Sequence, residues 1–205
     1  MSSGKLITFE GIDGVGKSTQ IELVQQYLEE MGYEVLVLRE PGGTQVGEAI
    51  REVLLSKDFS SMSNRAELLL YEASRAQLVD EVIKPQLELG TIVILDRFFD
   101  SSLAYQGYGR GFPLELVEAF NFFASDNLVP DLTILLDMDG ALDRALMNHE
   151  ADRLEASGHS FIEKVREGFL ALAQKEDRIE LVDAQGSRAE VFDRIKEKLN
   201  KIGLQ

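Results

Sequence analysis

"KLITFEGIDGVGKST" (5–19) decides the fold. Its first six residues hold Leu6, Ile7 and Phe9 and read as a strand, the kind of segment that both faces of a covered sheet require. The next nine, Gly11 to Thr19, fit G-x-x-x-x-G-K-[ST] and lead into a helical pattern. A strand, a glycine loop and a helix opening on Lys-Ser make an anion site from backbone N–H groups and a helix N-terminus. Gly11, Gly14 and Gly16 are expected to let the backbone approach phosphates. Ile12, Asp13, Val15 and Thr19 complete the loop. Lys17 is expected to reach the β- and γ-phosphates of a nucleoside triphosphate, and Ser18 to ligate Mg²⁺ and cap the helix. Asp13, a carboxylate among phosphates, is the residue that needs explaining.

Outward from this stretch, apolar runs alternate with helical patterns. Strands are predicted over 5–10, 34–40, 91–96, 132–138 and 179–183. Helices are predicted over 17–32, 46–56, 64–89, 113–125, 140–148, 160–177 and 187–201. Such alternation predicts an α/β fold with a parallel sheet between helices. "QGYGRG" (106–111) is expected to be a loop. The polar "NHEADRLEASGHS" (148–160) is either a mobile cover over a site or a solvated connection.

The 205 residues suit one domain, 1–205. With no cysteine, thiol catalysis, disulfides and thiolate metal sites are excluded. Two histidines, His149 and His159, are too few for a zinc site of their own. Thirty-six acidic against 21 basic residues give a net charge of −15, which argues against nucleic-acid and anionic-membrane partners. It does not argue against a small phosphorylated substrate held by a local arginine cluster. The absence of a signal-peptide pattern and of a long apolar stretch predicts a cytoplasmic protein.

Ligands of open α/β sheets bind at the carboxyl ends of the strands. There this chain has Glu10 and the phosphate loop, then "REPGG" and "DRFFDSS". Asp96 could hold Mg²⁺ through water, with Asp137 as its rival, and Arg97 could clamp a second phosphate. Tyr71 and Arg75 are four apart, so they share a helix face; either they grip a base, or Tyr71 is core and Arg75 snorkels. Ser101, Tyr105 and Gln106 line one wall if their segment is helical; the alternative is a cap and a glycine turn.

"FEGIDGVGKST", "REPGGT", "LLLYEASRAQL", "ILDRFFDSSLAYQG" and "VDAQGSRAEVFDRI", in this order, resemble the thymidylate kinase family, most closely its bacterial type. The resemblance implies a P-loop nucleoside monophosphate kinase fold with a five-stranded parallel sheet, usually in a homodimer. It implies transfer of the γ-phosphoryl of Mg-ATP to thymidine monophosphate (dTMP), giving dTDP. Tyr71 would stack on thymine, Arg75 would bond its O4 side and Gln106 its N3 side. Arg39, Arg51 and Arg97 would surround the acceptor phosphate. Ser101 would border the base, Tyr105 would stand by C2′, and Asp13 would accept from the 3′-hydroxyl. Residues around 140–158 would form a lid over ATP, and the turn bearing Gln185 would border adenine.

In one branch of that family a catalytic arginine follows the acidic residue of the phosphate loop. Here that position is Gly14, so the lid must supply it. The lid offers only Arg144 and Arg153, with Leu146 and Asn148 where arginines often stand. Arg153 is the candidate; the alternative is a surface ion pair. Rival functions are a kinase for another nucleoside monophosphate or a deoxynucleoside, and a P-loop nucleotide switch.

Overall fold

The computed structural model describes residues 4–141 and 158–204. Arg144, Arg153 and most of the expected lid therefore lie outside the described residues. So does nearly all of the helix expected over 140–148.

Five parallel strands form the sheet: β1 (Lys5–Glu10), β2 (Val35–Arg39), β3 (Ile92–Asp96), β4 (Leu132–Asp137) and β5 (Ile179–Asp183), in the order β2-β3-β1-β4-β5. All five match the strands expected from sequence to within a residue. Side chains alternate between faces. Ile7, Phe9, Ile92 and Ile94 join a core with Val24, Leu28 and Ile195. Leu6, Val93 and Leu95 join a second one with Leu78, Val79, Ile83 and Phe98. A sheet covered on both faces has to be largely apolar, which is why β3 reads as an apolar run up to Asp96, while Thr8 of β1 and Thr133 of β4 are buried and bond each other at 2.7 Å.

β1 lies between β3 and β4, and the register aligns the carboxyl ends: Phe9 stands opposite Asp96 and Arg39 opposite Asp96. Glu10, Arg39 and Asp96 are thus brought to one edge, beside the loop that leads into α1 (Lys17–Glu30).

The other helices are α2 (Gln45–Leu55), α3 (Asn64–Leu78), α4 (Lys84–Glu88), α5 (Phe99–Ser102), α6 (Leu114–Ala124), α7 (His159–Lys175) and α8 (Arg188–Leu199). A π-helical turn, Val79–Ile83, joins α3 to α4 just before Pro85, which has no N–H to continue the α-helical ladder. The expected single helix over 64–89 is therefore one rod with a widened turn.

Two expectations are corrected. Ser18 does not cap α1: the cap position is Gly16 at φ 94°, with no side-chain bond, and Ser18 lies inside the first turn. That turn's N–H groups thus stay open to an anion. "QGYGRG" is not a loop up to Gly109, because α5 runs on as a π-helical stretch over Leu103–Gly109. Its glycines serve close packing. A Cβ on Gly107 would meet Leu114 at 2.7 Å, and one on Gly109 would meet Phe161 at 2.7 Å. The turn comes only at Gly111, with φ 80°.

Candidate active site

A cleft of about 470 Å³ opens at the carboxyl ends of β1, β2 and β3. The phosphate loop forms its floor. Gly14 and Gly16 line it, and a Cβ on Gly16 would find nothing within 4 Å, so that space is open for a ligand. Gly11 serves another purpose: at φ 131° a Cβ would stand 2.4 Å from the Leu136 carbonyl oxygen. Gly11, Ile12 and Val15 are buried beneath the loop and do not line the cleft. Ser18 and Thr19 line it from the first turn of α1.

Lys17 crosses its own loop. Its Nζ donates to the carbonyls of Gly11 (3.0 Å) and Ile12 (3.1 Å) and lies 3.5 Å from Asp13 Oδ1. Burial, and then the Arg97 charge, hold its pKa below the ordinary lysine range. Asp13 turns into the cleft and accepts from Arg97 Nη2 at 2.8 Å. The unexpected carboxylate thus has a cationic partner on the facing strand end.

Arg97 adopts φ 71°, a conformation that costs a side-chain-bearing residue about 1 kcal/mol or more. Its flanks hold it there. The Glu10 carboxylate accepts from Phe98 N at 2.8 Å and from Ser101 Oγ at 2.6 Å. Ser101 Oγ in turn accepts from Arg97 Nη1 at 3.2 Å, and the guanidinium lies 5.2 Å from the Tyr105 ring centre. Burial, followed by the neighbouring Asp100, lifts the Glu10 carboxyl to about 7, despite Arg97 and these two bonds.

The rival acidic residues separate clearly. Asp96 lines the cleft, and its buried Oδ1 has no hydrogen-bond partner among the described residues. Asp137 is held by Arg166 through two bonds of 2.7 Å and does not line the cleft.

At the other end, Tyr71, Arg75, Tyr105 and Gln106 share the wall with Phe98. Arg75 does not snorkel to solvent. It is 1% exposed and donates to Glu40, Glu72, Ser102 and Asn121 at 2.8–3.0 Å. Among the described residues, one N–H of its Nη2 makes no hydrogen bond. Gln106 Nε2 donates to Glu67 at 3.0 Å. Arg39 and Arg51 line the cleft as well; Arg39 pairs with Glu48 at 2.9 Å and Arg51 donates to the Pro41 carbonyl at 2.9 Å.

Gln185 is not brought to this cleft. It sits in an exposed turn after β5, where Arg194 bonds its carbonyl, next to the Arg188 carbonyl that accepts from Gln20 of α1. Reading the sequence missed Glu10, Glu40, Glu67 and Glu72, the buried acceptors that hold the site's donors. Only Glu72 carried a local signal, three positions before Arg75 on the same helix.

A family model described as thymidylate kinase matches residues 9–195. The chain is 47% identical over 210 residues to a thymidylate kinase of Exiguobacterium sp., covering 99% of each chain. It is 49% identical over 197 residues to one of Thermosipho africanus, covering 95% of this chain and 97% of the relative. Among solved structures, the thymidylate kinase of Ehrlichia chaffeensis aligns with a TM-score of 0.81 at 33% identity, covering 96% of this chain and 99% of that one.

Proposed function

The chain belongs to the thymidylate kinase family, and from that premise we propose that its cleft transfers the γ-phosphoryl group of ATP to the phosphate of dTMP, giving dTDP and ADP. One observation carries this reading. A phosphate loop, three arginines and a Tyr71–Arg75–Gln106 wall converge on a single cleft. A loop alone would serve any nucleoside triphosphate. The arginines suit an acceptor that is already phosphorylated, and a nucleoside would bring no phosphate for them to hold.

Phosphoryl transfer depends on alignment and on spreading cationic charge over the moving group. The loop N–H groups and Lys17 hold the donor phosphates. Arg39, Arg51 and Arg97 gather round the acceptor phosphate, and Asp13, held by Arg97, accepts from the sugar 3′-hydroxyl. Tyr71 stacks on the base, Arg75 donates to O4 and Gln106 accepts from N3–H. Ser101 borders the base and Tyr105 stands by C2′. We assign Arg153 of the expected lid to the phosphoryl in flight, and Arg144 and Gln185 to ATP.

The residues fit a magnesium ion. The buried, unpartnered Oδ1 of Asp96 and the hydroxyl of Ser18 line the same cleft, and Mg²⁺ takes few protein ligands beside phosphates. Ser18 and Asp96 would hold an ion that offsets phosphate charge when bound. The chain acts as a single domain, 1–205, in the cytoplasm. No helix among the described residues is long and apolar enough to cross a membrane, and the charge of −15 disfavours nucleic acid. A homodimer is supported by apolar side chains left exposed on α3 and α6, notably Leu69 and Phe123; light scattering would show twice the chain mass.

The test is product identity. Phosphorus NMR of the protein with Mg-ATP and dTMP is expected to show dTDP and ADP in equal amounts. ADP and free phosphate without dTDP would refute the proposal.

A further inference from the structure

Gln106 presents an ambiguous side chain to the cleft. Its amide carries an acceptor and two donors of nearly the same shape, and which one meets a base edge decides which base is read. The structure removes the ambiguity with groups behind the cleft. Gln106 Nε2 donates to Oε1 of Glu67 at 3.0 Å. Glu67 is fully buried on α3, and Arg110 grips its carboxylate with Nε on Oε1 at 3.2 Å and Nη2 on Oε2 at 3.0 Å. Arg110 is itself seated, its guanidinium 4.4 Å from the Phe161 ring centre. A carboxylate held by a guanidinium fork offers acceptors only. The Gln106 NH₂ group must therefore face Glu67, which leaves Oε1 for the cleft. Arg75, the neighbouring polar group on that wall, has only donors.

We propose that Glu67 is a specificity-determining positioning residue: by fixing the Gln106 amide it makes the base wall one acceptor beside one donor. A 4-oxo pyrimidine with a protonated N3 matches that pattern. A 4-amino pyrimidine, with a bare N3 acceptor and an amino donor, opposes it at both points. The inference rests on the reading of this cleft as the dTMP site, and it concerns rejection of cytosine, a property that does not depend on the thymine methyl.

In Glu67→Gln the new side chain can donate to Gln106, so the amide is free to turn and present Nε2. The test compares kcat/KM for dTMP and dCMP at saturating Mg-ATP. The ratio of dTMP to dCMP is expected to fall by about tenfold or more in Glu67→Gln, the size of one buried hydrogen bond made or opposed. A merely structural defect would lower both acceptors by the same factor. Arg110→Gln, at a side chain that is partly exposed, releases Glu67 from its fork and is expected to shift the ratio the same way. It serves if the Glu67 variant does not fold. Unchanged ratios in every variant that folds, with the parent protein still preferring dTMP, would overturn the role of Glu67 and leave the dTMP reading intact. A parent protein that does not phosphorylate dTMP would overturn both.

Discussion

Glu10 gives the sharpest physical test of how the site is held together. Its carboxyl is fully buried and lifted by that burial from 4.5 to about 7. Below pH 4.5 the folded and unfolded chains both carry the proton, and the titration of Glu10 takes nothing from stability. As the pH rises towards 7, the unfolded chain ionises while the folded one does not, so stability falls. Above 7 the loss is complete. At about 1.4 kcal/mol per pH unit, the span from 4.5 to about 7 comes to about 3 kcal/mol. Glu10→Gln keeps the shape: its amide oxygen can accept from Phe98 N and its NH₂ can donate to Ser101 Oγ. It removes the titration. Urea unfolding at pH 5 and pH 8 is the assay. Across that range the parent protein is expected to lose about 2–3 kcal/mol more than Glu10→Gln, since other carboxylates contribute alike to both. Parallel pH dependences would refute the reasoning; they would mean that Arg97 keeps Glu10 ionised in the fold at little cost.

Other perturbations test separate parts of the site. Arg75→Met leaves Glu40 and Glu72 buried without their cation, and guanidinium unfolding is expected to show a loss of about 3–5 kcal/mol; a loss under 1 kcal/mol would contradict the network described. Asp13→Ala is expected to raise KM for dTMP more than KM for ATP in steady-state assays, and equal effects would count against its place beside the acceptor sugar. Arg153→Ala is expected to lower kcat by about a hundredfold or more with an unchanged unfolding midpoint, whereas near-wild-type turnover would remove Arg153 from the lid role.

Much of this molecule is legible in its sequence. The strands announce themselves because both faces of the sheet are covered, which forces residues such as Ile92 to Leu95 to be apolar without a break. The phosphate loop is legible because its chemistry is local: backbone, Lys17 and a helix start lie within nine residues. Tyr71 and Arg75 do share one wall, as helical spacing requires. Legibility ends where partners come from afar. Nothing near Glu67 in sequence points to Gln106 and Arg110, about 40 positions away. Nothing near Glu10 points to Ser101. Glycines are ambiguous for another reason. Those of "QGYGRG" suit a turn, yet Gly107 and Gly109 are small to let α6 and α7 approach. Gly11 suits a phosphate loop, and the Leu136 carbonyl behind it also demands a glycine there. A missing side chain can serve a turn, a ligand or a neighbour, and sequence alone does not say which.

The cleft is built to select one acceptor among phosphorylated nucleosides, and ADP release with Mg-ATP and a panel of nucleoside monophosphates reads that selection. dTMP is expected to have the highest kcat/KM, with dUMP weaker by about 10–200-fold, the range one methyl group can supply. Preference for another monophosphate, or ATP consumption that needs no acceptor at all, would contradict it.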